Sequence, residues 1–281
     1  MDRKIDRRAL FTSGAAAALL AATGASLDAA PRRGGTLRLA VPRDGDMMGV
    51  VARGALFDTL TEVGPDGVLK GELAEAWRSS PDARVWHFAL RSNVTFHDGS
   101  RLTSEDVVAS LLAHDFPRDR LGLKATGELT LQLELATPNG DLPYLLADPS
   151  LIIAQNGLVA APLREANGTG LYRLERLQEG RQMRLVRVNK HYKDDQAGWA
   201  DRVDVVVIPD AAVRAEALRD GFVDVAALPE PKGLLKRGDF TYHPSAQNMA
   251  LATHKGIGLP RKIGTRAPLD DGRIAERWWV G

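Results

Sequence analysis

The sequence predicts an α/β fold with a mixed β-sheet, and three patterns carry this prediction. Residues 203–225 have the pattern of a strand, a short helix and a second strand, a unit tight enough to require parallel neighbours with a right-handed crossover. Residues 128–135 alternate leucine with polar residues, as an antiparallel strand with one solvated face does. Residues 171–188 form two alternating runs around a glycine turn, which predicts a β-hairpin.

Residues 1–30 are predicted to be a signal peptide of the twin-arginine type. Arg7 and Arg8 precede an apolar run over residues 14–25, and the small residues Ala29 and Ala30 suit cleavage. The apolar run is too short for a stable membrane span. We therefore expect export to the periplasm, without membrane insertion once the signal is removed.

The amino-terminal part is predicted to begin with a strand and a helix. Thr36–Val41 alternates apolar and polar residues and is followed by a proline, as a half-buried strand is. A loop over residues 43–49 and a short helix over residues 52–60 follow. Proline and glycine predict a turn at residues 64–67, and Val85–Leu90 is predicted to be a strand with its large apolar residues on one face.

Local hydrogen-bonding signals mark the next elements. Thr103 and Asp106 have the spacing of a capping box, and an apolar helical stripe follows at residues 107, 108, 111 and 112. His97 lies in a predicted turn, where we expect its ring to bond a backbone carbonyl rather than a metal. Residues 168–170 are predicted to be a flexible junction, and Asp210 a helix cap.

No helix or strand can be assigned from the sequence between residues 232 and 281, although residues 273–280 suit a short helix or an extended tail. Trp278 and Trp279 lie in that segment. Large rings of this kind avoid solvent. They are expected to dock either on this chain or on a partner, and the sequence leaves both alternatives open.

Composition excludes several classes of function. The chain has no cysteine, which removes thiol nucleophiles, disulfides and thiolate metal sites. Its 37 basic and 36 acidic residues create no basic field for nucleic acid. The six histidines and the serines form no catalytic or metal-ligating motif. We therefore predict a protein that is not an enzyme, with no cofactor and no metal.

Two groups of residues are candidates for contact with a ligand. Met47 and Met48 follow the first strand, and with Phe57 they could form a soft apolar lip for a solute. Asp148 and Pro149 are the second group. Ordinary core packing is the alternative explanation for the methionines and the phenylalanine.

Eight phrases, in order, resemble the family 5 solute-binding proteins, which are the dipeptide, oligopeptide and nickel receptors of ABC importers. The phrases are FDTL at 57–60, LAEAW at 73–77, VTFHDG at 94–99, TSEDV at 103–107, GTGLY at 168–172, NKHY at 189–192, VIPD at 207–210 and ALRDGFVD at 217–224. Each phrase is weak alone, but the shared order over residues 34–228 makes the resemblance specific.

The resemblance implies a periplasmic-binding-protein-like fold of type II, here only its first lobe. Residues 31–54 and 168–281 would form the mixed-sheet core of that lobe, and residues 55–167 an inserted smaller α/β subdomain. The implied function is a reduced solute-binding protein that docks on an ABC permease of the inner membrane. The segment that forms the opposing wall in the family has no clear counterpart, so the alternative is a repurposed lobe that serves another exported protein as an accessory or scaffold.

Overall fold

Two β-sheets form the framework of the protein. The structure is a computed structural model that describes residues 31–230, 234, 238–243, 250–260 and 273–281. The predicted signal peptide lies outside the described residues. The strands are β1 (Thr36–Val41), β2 (Thr61–Val63), β3 (Leu69–Gly71), β4 (Ala74–Ser79), β5 (Val85–Leu90), β6 (Arg120–Gly127), β7 (Thr130–Leu135), β8 (Tyr172–Gln178), β9 (Gln182–Arg187), β10 (Arg202–Val207), β11 (Val225–Leu228), β12 (Phe240–His243), β13 (Ala250–His254), β14 (Ile257–Gly258) and β15 (Trp279–Val280).

The described helices are short and lie between the strands. They are α1 (Met47–Leu56), α2 (Ser104–Ala113), α3 (Leu142–Leu145), α4 (Ala211–Arg219) and α5 (Ile274–Arg277), with 3₁₀ turns at Asp44–Asp46, Gln155–Gly157 and Leu163–Glu165. Among the described residues, none of these helices has the length and apolar character needed to cross a bilayer.

The larger sheet is mixed, as predicted, with the strand order β12-β13-β11-β1-β10-β9-β8. β1 pairs in parallel with both β10 and β11, and the remaining pairs are antiparallel. The predicted strand–helix–strand unit is therefore β10-α4-β11, but its two strands are not neighbours. The prediction was wrong on that point because β1 uses its two hydrogen-bonding edges to hold one strand on each side.

Side chains from alternate positions of β1 enter two different cores. Leu37, Leu39 and Val41 pack with α1 in the first core, together with the buried faces of β9, β10 and β11. Ala40 points to the opposite face, where Leu218 of α4 packs in a smaller core. The helices that follow β1 and β10 consequently cover opposite faces of the sheet.

The smaller sheet is antiparallel, in the order β4-β5-β7-β6, and lies wholly within residues 55–167. Its apolar face packs on α2, and Val107 and Leu111 are fully buried there. Leu112, predicted to share that stripe, is 46% exposed. β6 was not predicted from the sequence, because its two glycines and scattered polar residues weaken the alternation. The proposed boundaries of the inserted subdomain stay a prediction.

The first helix was misplaced by the sequence analysis. α1 begins within the predicted loop, at Met47, and ends at Leu56, where the prediction ran to residue 60. Phe57 is already extended, with φ −130° and ψ 152°. Asp58 and Thr59 then bond to distant segments: Ile153 N donates to Asp58 O at 2.9 Å, and Thr59 N donates to Glu72 Oε2 at 2.9 Å. These tertiary bonds outweigh the local helical pattern.

Several local predictions are confirmed. Thr103 and Asp106 form the capping box of α2 in both directions. The Asp210 carboxylate accepts from the first N–H groups of α4, and β8 and β9 form the predicted hairpin. In the carboxyl-terminal part, residues 273–280 contain both predicted alternatives, since α5 is followed by β15. The strands β12, β13 and β14 were not predicted.

Candidate functional site

The carboxyl ends of three parallel strands meet at one edge of the mixed sheet. β1, β10 and β11 run in the same direction, so their last residues, Val41, Val207 and Leu228, all lie along this edge. The loops that follow them therefore lie side by side, although 187 residues separate the first from the last.

The chain leaves this edge toward opposite faces. After β1 it continues into α1, which packs on the face that carries Leu37 and Leu39. After β10 it continues into α4, which packs on the face that carries Ala40 and Ala226. Open α/β sheets bind ligands outside the carboxyl ends of their strands at such a reversal. We call the region formed by residues 42–48 and 208–210 the switch-point crevice, and it is the candidate binding site.

Met47 and Met48 begin α1 at this crevice, and both are half-buried against the first core. Asp46, just before them, has a left-handed backbone with φ 48° and pairs with Arg53 at 3.0 Å. No side chain caps the first turn of α1. The N–H groups of that turn, together with two polarizable thioethers, give the crevice both a polar and an apolar element.

Arg214 holds the other side of the crevice in place. It is buried in the first turns of α4, with Nε donating to Ala227 O at 2.7 Å and Nη1 donating to Ile208 O at 2.5 Å and Pro209 O at 2.9 Å. Burial lowers the pKa of this guanidinium below its ordinary value. Arg214 was not predicted from the sequence, because an arginine on a short helix gives no sign that it will bond the ends of two strands.

The other predicted ligand residues lie elsewhere. Phe57 follows the last residue of α1, and ten residues at 1.5 Å each place it about 15 Å from Met47. Its ring is buried in the first core. Asp148 is exposed, and its Oδ1 accepts from Ser150 N at 2.9 Å and Ser150 Oγ at 2.7 Å. Pro149 is half-buried beside it. The structure thus places Met47 and Met48 at the crevice, and Phe57 at the far end of the helix.

The predicted flexible junction is instead a buried clamp. Gly168, Thr169 and Gly170 are buried, and two histidine rings hold them. His97 Nε2 donates to Gly170 O at 2.9 Å, which confirms the structural role predicted for that ring. His191 Nε2 donates to Thr169 O at 2.8 Å, while its Nδ1 accepts from Lys193 N at 3.1 Å.

Both glycines of this clamp are required by close packing. A Cβ at Gly168 would lie 1.9 Å from Leu56 O, and a Cβ at Gly170 would lie 2.4 Å from Ala55 O. Gly170 N also donates to Leu56 O at 3.0 Å. The junction therefore crosses directly over the end of α1 and fixes where the chain leaves that helix.

A buried ionic network lies beyond the clamp. Glu72 is fully buried, and Lys193 Nζ donates to its Oε1 at 2.5 Å. Arg273 bonds the same carboxylate with both Nη atoms, at 2.8 Å for Nη2. Glu276 accepts from Lys193 Nζ at 2.7 Å and from Arg273 Nη1 at 3.2 Å, and Glu62 Oε2 lies 3.1 Å from Lys193 Nζ. The network ties α5 to the segment before β4.

The charges of this network decide its ionisation. Burial alone would raise the pKa of the Glu72 carboxyl, but Arg273 and Lys193 outweigh burial and hold that pKa well below its usual value. Burial alone would lower the pKa of Lys193, and Glu276, Glu72 and Glu62 raise it instead. Glu72 and Lys193 are consequently both charged near neutral pH.

Three carboxylates at this place meet a geometric requirement for a cation site. Oxygen atoms of Asp58, Glu72 and Glu276 lie within 4.8 Å of one another. Lys193 and Arg273 already bond Glu72 and Glu276, so two of the three carboxylates are paired with cations of the protein itself. We therefore interpret the cluster as structural, and the expectation of no metal stays a prediction.

Trp278 and Trp279 are buried on this chain. Trp278 is 3% exposed and belongs to the first core, where its ring lies 6.0 Å from that of His243. Trp279 packs on Gly258, where a Cβ would lie 1.7 Å from the indole ring. Of the two alternatives left open by the sequence, docking on the chain itself is the one that the structure describes. Contact with a partner stays a prediction.

Comparison with known proteins gives the family. The profile of the bacterial extracellular solute-binding proteins, family 5 Middle, matches residues 68–271, which is more than half of the chain. The chain belongs to this family. The resemblance read from the eight phrases is therefore confirmed.

Individual family 5 relatives show the extent of the likeness. The probable D,D-dipeptide-binding periplasmic protein DdpA of Escherichia coli K12 is 32% identical over 180 residues, covering 57% of this chain and 34% of that protein. The periplasmic binding protein AgaA of A. tumefaciens R10, solved with agropinic acid, superposes with a TM-score of 0.61 at 27% identity, covering 69% of this chain and 44% of that one.

The periplasmic binding protein DppA of Helicobacter pylori, solved with the peptide STSA, superposes with a TM-score of 0.67. The two sequences are 23% identical, and the match covers 77% of this chain and 51% of the DppA chain. At this identity the likeness supports the fold alone. The chain thus spans about a third of the curated relative and about half of each solved one. The predicted α/β fold of a single periplasmic-binding-protein lobe is confirmed.

Proposed function

We propose that this family 5 protein is the exported, non-enzymatic solute-binding component of an ABC importer and works in the periplasm with a permease of the inner membrane. The solute class we propose is that of peptides, opines and nickel chelates. The observation that carries the proposal is the switch-point crevice, where α1 and α4 begin on opposite faces of the sheet. The signal peptide, the twin-arginine route and the reduced form predicted from the sequence belong to the same proposal.

The chemistry of the crevice favours a solute with a carboxylate and an apolar part. The uncapped first turn of α1 offers N–H groups and the positive end of a helix dipole, which stabilise a negative charge. Asp210 already accepts from Ala212 N and Val213 N, so the corresponding groups of α4 are occupied. Met47 and Met48 provide soft apolar contact beside this turn.

Calorimetric titration of the full chain tests this function, with dipeptides, agropinic acid and a nickel–histidine chelate as the solutes. We expect at least one of them to bind. In a Met47→Glu/Met48→Glu variant we expect binding at least tenfold weaker, because the new carboxylates compete with the solute for the positive end of α1. The variant should still fold, since glutamate is favourable in a first helical turn.

Leu121→Glu is the matched control, since Leu121 is an exposed apolar residue on β6, within the smaller sheet. Unchanged binding by this control would assign the loss to the crevice. If every solute gave no heat with the unaltered chain, the proposed function would fail. If the Met47→Glu/Met48→Glu variant bound the solute as tightly as the unaltered chain, the binding site would have to lie away from α1.

The accessory or scaffold role stays the alternative. Its sequence support came from the missing counterpart of the opposing wall, the basic carboxyl-terminal tail and two tryptophans, and both tryptophans are buried in the structure. It predicts that an exported protein is recovered with this chain after cross-linking in the periplasm. Recovery of an ABC permease, and of no other exported protein, would contradict this alternative.

A further inference from the structure

A polar cavity of about 400 Å³ opens on the mixed sheet at the opposite edge from the switch-point crevice. Gly35 and Thr36, at the amino end of β1, and Arg202, at the amino end of β10, line it. A six-residue strand is about 20 Å long, so this cavity and the proposed solute site lie at different ends of the sheet.

Strand register fixes the floor and walls of this cavity. Thr36 pairs with Arg202, Arg202 with Val186, and Val186 with Arg173, so these four residues form one row on one face across β1, β10, β9 and β8. Neighbouring strands are about 4.8 Å apart, which puts the Cα atoms of Arg173 and Arg202 about 10 Å from each other. Val186 lies between them as a short, half-buried floor.

The two arginines of this row differ from the next arginines on the same face. Arg184 is bidentate to Asp204 at 2.7 and 2.9 Å, and Arg38 bonds Asp224 at 2.7 and 3.0 Å. In contrast, neither Arg173 nor Arg202 makes an ion pair with any residue that the structure describes. Two guanidinium groups therefore flank an open cavity, and neither is bonded to a carboxylate of the described residues.

The rest of the lining sets the charge of the cavity. Arg187 is also a lining residue; it bonds Asp194 through Nη2 at 2.5 Å, and its buried Nε has no partner among the described residues. Glu175 and Asp201 add two carboxylates to the lining. Asp194 balances Arg187, and the two acids equal Arg173 and Arg202 in number, so the lining carries no net charge and disfavours a polyanion.

We propose that this cavity is a second binding site, for a small oxyanion of the phosphate or carboxylate type held between Arg173 and Arg202. The planar guanidinium fork matches two oxygen atoms of such an anion and gives strong charge-assisted hydrogen bonds. The short side chain of Val186 leaves room for the anion between the two guanidinium groups. Glu175 and Asp201 restrict the size and the charge of the ligand that can bind.

Thermal unfolding of the full chain tests this proposal, with sodium phosphate or sodium acetate against sodium chloride at equal ionic strength. At an anion concentration ten times Kd, we expect Tm to rise by about 2–4 °C above the chloride value. A larger response to phosphate than to acetate identifies a phosphate-type ligand, and the reverse identifies a carboxylate. In Arg173→Gln/Arg202→Gln the shift should be lost and the affinity reduced at least tenfold.

Arg78→Gln/Arg101→Gln is the matched control, because it removes two exposed arginines from the part of the chain that forms the smaller sheet and gives the same net charge. This control should keep the full shift. Equal shifts in both double variants, or an equal effect of chloride, would overturn the proposal. A second readout is the arginine Nε–H spectrum, where phosphate should move the signals of Arg173 and Arg202 in the unaltered chain.

Discussion

Glu72 and Arg273 lie 201 positions apart in the chain and form a buried ion pair, in which Arg273 Nη2 donates to Glu72 Oε2 at 2.8 Å. Lys193 bonds the other oxygen of the same carboxylate. The pair joins the segment before β4 to the start of α5, so the position of the carboxyl-terminal residues depends on one carboxylate that solvent does not reach.

Neutralising this carboxylate should destabilise the whole protein. In Glu72→Gln, Lys193 and Arg273 lose a charged partner that they share inside the protein, and breaking a buried pair in this way costs about 3–5 kcal/mol. Urea denaturation measures the loss. Glu75→Gln is the control, because Glu75 is exposed on β4 and should change stability by less than about 0.5 kcal/mol. Equal, small effects of the two substitutions would contradict the structural role of the network.

The same network predicts a pH range of stability. The pKa of Glu72 is held below its ordinary 4.5. The contribution of Glu72 to the stability of the folded protein is therefore present above pH 4.5 and is lost as the pH falls below that value. The pKa of Lys193 is raised above its ordinary 10.5, so its contribution is present below pH 10.5 and is lost as the pH rises further. Measured by urea denaturation, the stability difference between the unaltered chain and Glu72→Gln should be constant from pH 5 to 10 and shrink in more acidic solution. A difference that grew on acidification would contradict this assignment.

The glycine clamp over α1 should tolerate no side chain. Gly168→Ala and Gly170→Ala would place a methyl group against the carbonyl oxygens of Leu56 and Ala55, and overpacking of this kind costs about 1–3 kcal/mol or more. Gly140→Ala is the control, because nothing lies within 4 Å of its added Cβ. Thermal unfolding of the three variants measures the difference. Wild-type stability in either clamp variant would show that the junction and α1 are further apart than described.

His97 should resist protonation in the folded protein. Burial lowers the pKa of its ring below the ordinary 6.5, while the Nε2 proton is donated to Gly170 O. The unfolded chain takes up the second ring proton of His97 more readily than the folded protein does. The contribution of His97 to stability is therefore present above pH 6.5 and is lost as the pH falls. NMR titration should therefore show His97 titrating below pH 6.5. His97→Asn keeps a donor for Gly170 O but cannot titrate, so it should lose less stability than the unaltered chain between pH 6.5 and 5.

Local patterns were predicted well where one segment contains all the partners it needs. The capping box of Thr103 and Asp106 and the cap at Asp210 both depend on contacts within three residues. The helix expected over residues 52–60 failed for the converse reason. Asp58 and Thr59 form hydrogen bonds to Ile153 and Glu72 and do not continue the helix. No residue pattern within 52–60 predicts those partners.

The candidate sites divide in the same way. Met47 and Met48 could be named from the sequence because they follow a recognisable strand, and the structure places them at the switch-point crevice. Arg214 and the Glu72 network could not, since Lys193 is 121 residues from Glu72 and 83 from Glu276. A buried arginine or glutamate is identified only by the groups around it, and those groups come from distant elements.

The sequence by itself determined the class of the fold, about half of its described strands and the family phrases, because periodicity, caps and turns are encoded over short spans. Only the tertiary structure decided that β1 lies between β10 and β11, and therefore that the loops after these three strands share one edge. The physical reason is that each strand edge can hydrogen-bond with any compatible partner, and the choice is made by cores that residues far apart in the chain build together.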